Sequence, residues 1–273
     1  MPLAKNKESA SPATQYFAEV LRKLRERAGL TQDELGSRMN YTGAAVSSVE
    51  TCARPATDEF IARAEEALDA GGLIAAATKY LRLERYPAHF QGFVQLEQTA
   101  LSVSAYCMQL IHGLLQTEEY ARALLRCDFP PHEEAEVEQL VGARMERKAL
   151  FDRKPMAIVH TVLEESALRQ TIGGPEIMRD QYEHLLTCAE RPNVVVQVMQ
   201  QGQGGHAGLR GPMTVIETPE QTPLVYMEGQ GRSLLVSDPR EVGALTRRYA
   251  MIRSQALGLK ESLGFIERLA GEL

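Results

Sequence analysis

Residues Arg25–Pro55, RERAGLTQDELGSRMNYTGAAVSSVETCARP, decide the fold. They read as two short helices joined by a tight turn, with a basic residue and a proline after the second. Thr31 is placed to cap a helix whose first turn carries Gln32, Asp33 and Glu34, and acidic charge suits that end of the helix dipole. Leu35 and Met39 fall on one face. Asn40 closes the helix, because it tolerates the left-handed backbone that a sharp turn needs. Thr42 caps the second helix, in which Val46 and Val49 point inward, while Gly43, Ala44, Ser47 and Ser48 are left to point outward.

The flanks complete a bundle. Phe17, Val20, Leu21, Leu24 and Ala28 form a helical apolar stripe that ends at Gly29, and Phe60, Ile61, Ala64, Ala67 and Leu68 form another that stops at Gly71–Gly72. The fold expected here is a mainly α bundle of four or five helices. The whole resembles the lambda-repressor-like helix-turn-helix of the xenobiotic-response-element type, whose second helix enters the DNA major groove. That family ends its recognition helix with a glutamate followed by arginine and proline, and Glu50, Arg54 and Pro55 stand in those places. Asn40 replaces the usual turn glycine, and Cys52 sits where a helix-ending glycine is common. The resemblance implies binding to double-stranded DNA, with Gln32, Arg38, Thr42, Gly43, Ala44, Ser47, Ser48 and Arg54 at the interface. Repressor-type proteins usually read paired half-sites, which implies a homodimer.

Charge constrains how such an interface works. The chain carries 30 Lys and Arg against 36 Asp and Glu, a net charge of −6. Residues 1–80 alone hold ten basic and eleven acidic side chains. Broad phosphate attraction calls for a basic surface, so this chain has to rely on Arg38, Arg54 and the backbone amides at helix N-termini. The outer face of the second helix has no Arg, Lys, Asn or Gln. Base reading falls to the hydroxyls of Thr42, Ser47 and Ser48, with Ala44 able to touch a thymine methyl.

Length points to a second domain. Of 273 residues, about 190 follow position 83, enough for a separate core. The organisation read from the sequence is a disordered lead-in over 1–13, a helix-turn-helix domain over 14–83 and an α+β domain with a small mixed sheet over 84–273, the boundary lying near Pro87. The lead-in lacks the apolar segment of a signal peptide, and the uncharged stretches 98–117 and 192–209 are too polar to span a bilayer. A cytoplasmic protein with no membrane role is expected. Cys52, Cys107, Cys127 and Cys188 are scattered without metal-binding spacing, so buried free thiols are the reading, with no metal and no cofactor.

In the second region helices are expected over 91–100, 117–125, 132–153, 164–170, 175–190 and from Asp238 through Leu259, with a closing helix over 262–269. The inner face of 132–153 is read as Val137, Leu140, Val141, Met145 and Ala149. Strands are expected over 101–110, 156–163, 194–199, 213–217 and 224–227, with Pro219 in a hairpin turn between the last two.

The segments HGLLQTEEYARALL (112–125), VLEESALRQTIGG (162–174), QYEHLL (181–186) and PNVVVQVM (192–199) resemble a large actinobacterial regulator family that joins a helix-turn-helix to a C-terminal domain of uncharacterised function. Its members are often encoded beside a small partner protein and are described as antitoxin-like or developmental regulators. The resemblance therefore implies a small protein partner for the second domain. His112 stands where those proteins usually carry proline.

Catalysis is not expected. His160, the Glu164–Glu165 pair, His206 and Glu228 are the candidate titratable groups, but two adjacent glutamates point in different directions. The glycine-rich loop 202–211 lacks phosphate-loop spacing, and no GxSxG or HExxH motif is present. Two other readings stay open beside the regulator with a protein partner. One is a ligand-responsive regulator holding a small molecule near loop 202–211, and the other is an enzyme carrying a DNA-binding module.

Overall fold

A computed structural model describes residues 10–83, 86, 88–202, 204–229 and 232–273. The chain divides into two compact units, Met1–Tyr86 and Pro87–Leu273. Most of the expected lead-in, residues 1–9, lies outside the described residues. Its last residues are helical: Ser11 caps helix α1 (Pro12–Arg27), its hydroxyl accepting from the Thr14 N–H, with Pro12 in the first turn where a missing N–H costs nothing.

Unit 1 continues with α2 (Gln32–Met39), α3 (Gly43–Glu50) and α4 (Asp58–Leu68), then a 3-10 turn (Ala75–Ala77) and α5 (Thr78–Leu83). Thr31, Thr42 and Thr57 each cap the helix that follows through a hydroxyl that accepts a backbone N–H. Phe17, Leu21, Leu35, Met39, Val46, Phe60, Ile61 and Ile74 form one buried cluster. Helix α4 stops earlier than its glycines suggest. Asp69 takes the left-handed conformation at φ 45°, and the following loop is held by Glu65, whose carboxylate accepts from the N–H groups of Gly72, Ile74 and Ala75.

Unit 2 is built on a six-stranded mixed sheet. Its strands are β1 (Ser102–Cys107), β2 (Ile158–Glu164), β3 (Val194–Met199), β4 (Met213–Glu217), β5 (Pro223–Gly229) and β6 (Arg232–Val236), in the order β3-β2-β1-β4-β5-β6. The half formed by β1, β2 and β3 is parallel, and β4, β5 and β6 add antiparallel. Parallel strands need crossovers. Helices α6 (Ala88–Thr99), α7 (Glu118–Leu125), α8 (Glu134–Glu146), α9 (Glu165–Arg169) and α10 (Pro175–Ala189) precede or link them, and α11 (Pro239–Gln255) and α12 (Leu259–Gly271) close the chain.

Strand alternation makes two cores. Val103, Val159, Leu163 and Val196 pack with Tyr182, Leu185 and Phe265 on one face. Tyr106, Val162, Met199 and Val225 pack with Val242, Tyr249 and Ile252 of α11 on the other.

Four expectations are corrected. The helix over 132–153 is shorter, because after Glu146 it tightens into a 3-10 turn (Arg147–Phe151) that buries Arg147, Leu150 and Phe151 and leaves Ala149 exposed. Arg147 turns inward to donate to both oxygens of buried Glu97, at 2.6 and 2.8 Å. Strand β6 was not expected, since Leu234 and Leu235 are adjacent and both exposed instead of alternating. Leu259 starts the closing helix after Gly258 and does not continue α11, which ends at Gln255. The thiols are not uniformly buried either, because Cys127 is exposed and only Cys188 is fully buried.

The GLLQT segment is architectural. The Gln116 amide donates to the Ile111 carbonyl and accepts from Arg144, Thr117 caps α7, and Gln181 accepts the Thr117 N–H while donating to the Leu115 carbonyl. Arg122, from the Tyr-Ala-Arg stretch, is ringed by Glu118, Glu119 and Glu138.

Candidate nucleic-acid interface

The turn motif is set by close backbone approach. A Cβ at Gly36 would lie 2.8 Å from the carbonyl carbon of Thr42 and 2.9 Å from the nitrogen of Gly43, so α2 can meet the start of α3 only with glycine there. Asn40 sits at φ 59° between them, the left-handed position its side chain tolerates.

The end of α3 is tied down by charge. Arg25 of α1 donates to both carboxylate oxygens of Glu50, at 2.6 and 2.9 Å, and to the Leu30 carbonyl at 2.8 Å. Both members are buried, Arg25 at 9% exposure and Glu50 at 6%. Gln32 donates one amide N–H to Glu50 at 2.8 Å, which fixes the first turn of α2 to the same anchor. The hydrogen bond to Glu50 holds the Arg25 guanidinium above its usual pKa. The clamp is not legible in the sequence: its members are 25 and 18 residues apart, and although Gln32 and Glu50 fit the family pattern, Arg25 does not stand out in it.

Around this frame the expected contact residues divide. Thr42 and Ala44 are exposed and Ser47 is half-buried on the outer side of α3. Ser48 lies beside them, but its hydroxyl donates to the Ala44 carbonyl at 2.8 Å and so meets any base only as an acceptor. Gly43 does not point outward: a Cβ there would stand 1.8 Å from the Asp33 carboxylate. Gln32 is a positioning residue with one amide N–H left over. Arg38 and Arg54 are exposed and make no ion pair among the described residues.

The helix N-termini offer less than expected. Asp33 lies against the start of α3, and the capping box of α2 has Glu34 accepting the Thr31 N–H at 2.7 Å, which lowers the Glu34 pKa. Both ends already face a carboxylate, which disfavours an anion there, whereas Arg38 and Arg54 stay open to one.

At the exit from α3, Cys52 takes φ 58°, the left-handed place a glycine would fill without strain. Its amide and that of Ala53 donate to the carbonyls of Val49 and Ser48 and close the helix.

Among the described residues of unit 2, Glu164 and His206 come together, and the other candidate titratable groups stand apart from them. His160 is buried beneath α11, its Nε2 2.8 Å from the Gln197 amide oxygen and its Nδ1 3.0 Å from the Tyr249 hydroxyl. Burial, helped by Arg253, lowers its pKa to about 4, so it is a neutral core group. Glu165 pairs with Arg169 and accepts the Gln201 N–H. Glu164 points the other way, to the Tyr106 hydroxyl and to His206 Nε2 at 3.5 Å. Glu228 is exposed on β5. Among the described residues no group of His, Cys, Asp and Glu is placed to hold a metal ion, and no helix is long and apolar enough to cross a membrane.

A capped and clamped turn motif in one unit, with a mixed α+β sheet in the other, defines a two-domain helix-turn-helix protein. The helix-turn-helix domain family matches residues 17–77. Residues 90–268 match the domain of unknown function DUF5753, and the chain belongs to that family. No curated protein and no solved structure matches it.

Proposed function

We propose that the chain is a transcription regulator that reads double-stranded DNA by laying α3 in the major groove. The observation that carries this reading is the pairing of a rigidly held α3 with an outer side left open. Arg25, Gln32 and Glu50 fix the helix, while Thr42, Ala44 and Ser47 remain available beside Arg38 and Arg54, two exposed arginines without an ion pair among the described residues. Hydroxyls and a methyl group read base edges, and Arg38 and Arg54 neutralise phosphates. One such helix with two cations binds weakly, so the working form is a homodimer on two half-sites about one helical turn apart. The α+β unit serves regulation by taking a small cytoplasmic protein partner, in the manner of the antitoxin-like actinobacterial regulators the sequence resembles.

The test is footprinting on the DNA upstream of the protein's own gene. Arg54→Ala is expected to weaken binding to all sequences alike, and Ser47→Ala to change the preferred sequence. Unchanged affinity and preference in both variants overturns the interface. Light scattering of footprinting-competent protein reads the dimer, and pull-down of the full chain with the neighbouring gene's product reads the partner.

A further inference from the structure

Outside the helix-turn-helix, the connection from β3 to β4 crosses the carboxyl ends of β2 and β1, because the sheet order places β4 on the far side of both. Its described residues are anchored at separate points. Gln201 donates to Glu165, Ala207 donates to the Gln255 side chain, and Gly208 rests on Tyr106, where a Cβ would stand 2.3 Å from the ring. Between these anchors lies a cavity of about 260 Å³. Open α/β sheets hold ligands at this place, outside the carboxyl ends of their parallel strands.

The buried charge in the cavity is Glu164, at 7% exposure. Tyr106 donates to its Oε1, and His206 Nε2 faces the same oxygen at 3.5 Å. His206 Nδ1 accepts the Gly208 N–H, which puts the ring proton on Nε2, toward the carboxylate. Burial and the bond to Glu164 push the Tyr106 phenol above its usual range, so it stays a donor. Both contacts fall on Oε1, and Oε2 has no protein partner among the described residues.

The surroundings select the ligand. A buried carboxylate repels phosphates and other anions. An amine would find a single carboxylate whose Oε1 already has two partners, and the adjoining hollow, which shares Gln200 with the cavity, is lined by the cations Lys260 and Arg268. Hydroxyl groups both donate and accept, matching the carboxylate of Glu164 and the side-chain amides of Gln200 and Gln201 in the same lining. Met108 and Leu209 offer an apolar surface to the face of a ring, and the volume suits a small one. We propose that this cavity binds a neutral polyhydroxylated molecule, a free sugar or the ribose of a nucleoside, with Glu164 Oε2 accepting from its hydroxyls. This site is independent of the DNA-binding reading.

The test uses the full chain with glucose, ribose and adenosine as probes, read by saturation-transfer NMR and by thermal shift. At least one probe is expected to bind. Glu164→Gln, which keeps an acceptor for Tyr106, should weaken that binding at least about tenfold, the loss of one charge-assisted hydrogen bond. Leu209→Arg, at a side chain 61% exposed, should block the cavity without disturbing the core, so a variant that folds is always at hand. Binding of glucose or ribose identifies a free sugar, and binding of adenosine alone identifies a nucleoside. No signal from any probe, or binding unchanged in Leu209→Arg, overturns the proposal.

Discussion

The guanidinium of Arg25 and the carboxylate of Glu50 face each other as a buried bidentate pair that joins the first helix of the bundle to the last turn of α3. Removing one member leaves an uncompensated charge away from water, which costs about 3–5 kcal/mol. Glu50→Ala is therefore expected to unfold unit 1 at much lower denaturant, while Arg25→Met combined with Glu50→Leu recovers most of the loss. Urea titration of the three proteins measures this. A mild single variant, or a double variant no better than the single, contradicts the clamp.

Cys52 offers a gain in stability. Its left-handed backbone costs a side-chain-bearing residue about 1–2 kcal/mol that glycine avoids, partly offset by the greater freedom of glycine when unfolded. Cys52→Gly should raise the stability of unit 1 by up to about 1 kcal/mol, and Cys52→Val should lower it. The order of midpoints in thermal melts decides.

Two glycines are predicted to resist alanine. At Gly36 the added carbon meets backbone of Thr42 and Gly43, and at Gly208 it meets the Tyr106 ring. Each substitution should cost about 1–3 kcal/mol by overpacking. Gly36→Ala should also weaken operator binding, because it pushes α2 off α3. Circular dichroism melts and footprinting separate the two effects, and a neutral Gly36→Ala refutes the close approach.

Acid should destabilise unit 2 in a defined window. Burial lowers His112, His160 and His184 to about 4 from an unfolded value near 6.5. Between these values the unfolded chain binds more protons than the folded one, so stability rises with pH there. It is fully present above about 6.5 and is lost as pH falls toward about 4. His132, raised by Glu136 and Asp128 at the surface, works in the other direction and is screened. Melting temperature against pH should plateau near neutrality and fall below it, and His160→Asn should reduce the slope. A flat profile over this window contradicts the buried neutral histidines.

The legible features of this sequence were local. Thr31, Asn40 and Thr42 announce the turn because caps and left-handed positions are chosen by side chains a few residues away. Strands β3 and β4 announce themselves by apolar runs between turn residues. What escaped depends on distant partners. Arg147 ends a helical pattern because Glu97, 50 residues earlier, draws it inward. Glu164 and His206 were both noticed, yet their meeting with Tyr106 on one face of β1 leaves no trace in spacing. The GLLQT segment carries the family resemblance, and the reason for it is tertiary, since its side chains hold their own loop.

The carboxylate of Asp33 over Gly43 reaches into the ionic conditions under which the chain works. On the proposed reading it occupies ground where a phosphate oxygen would otherwise dock, which leaves Arg38 and Arg54 to displace the ions condensed on DNA. Each neutralised phosphate adds only about 0.9 to the slope of log affinity against log salt. Operator occupancy on the proposed reading therefore changes shallowly with ionic strength, and bulk DNA, which offers only its phosphates, holds the chain weakly. A regulator of this design is retained by sequence more than by charge, and stays in place through osmotic swings that would strip a more basic one.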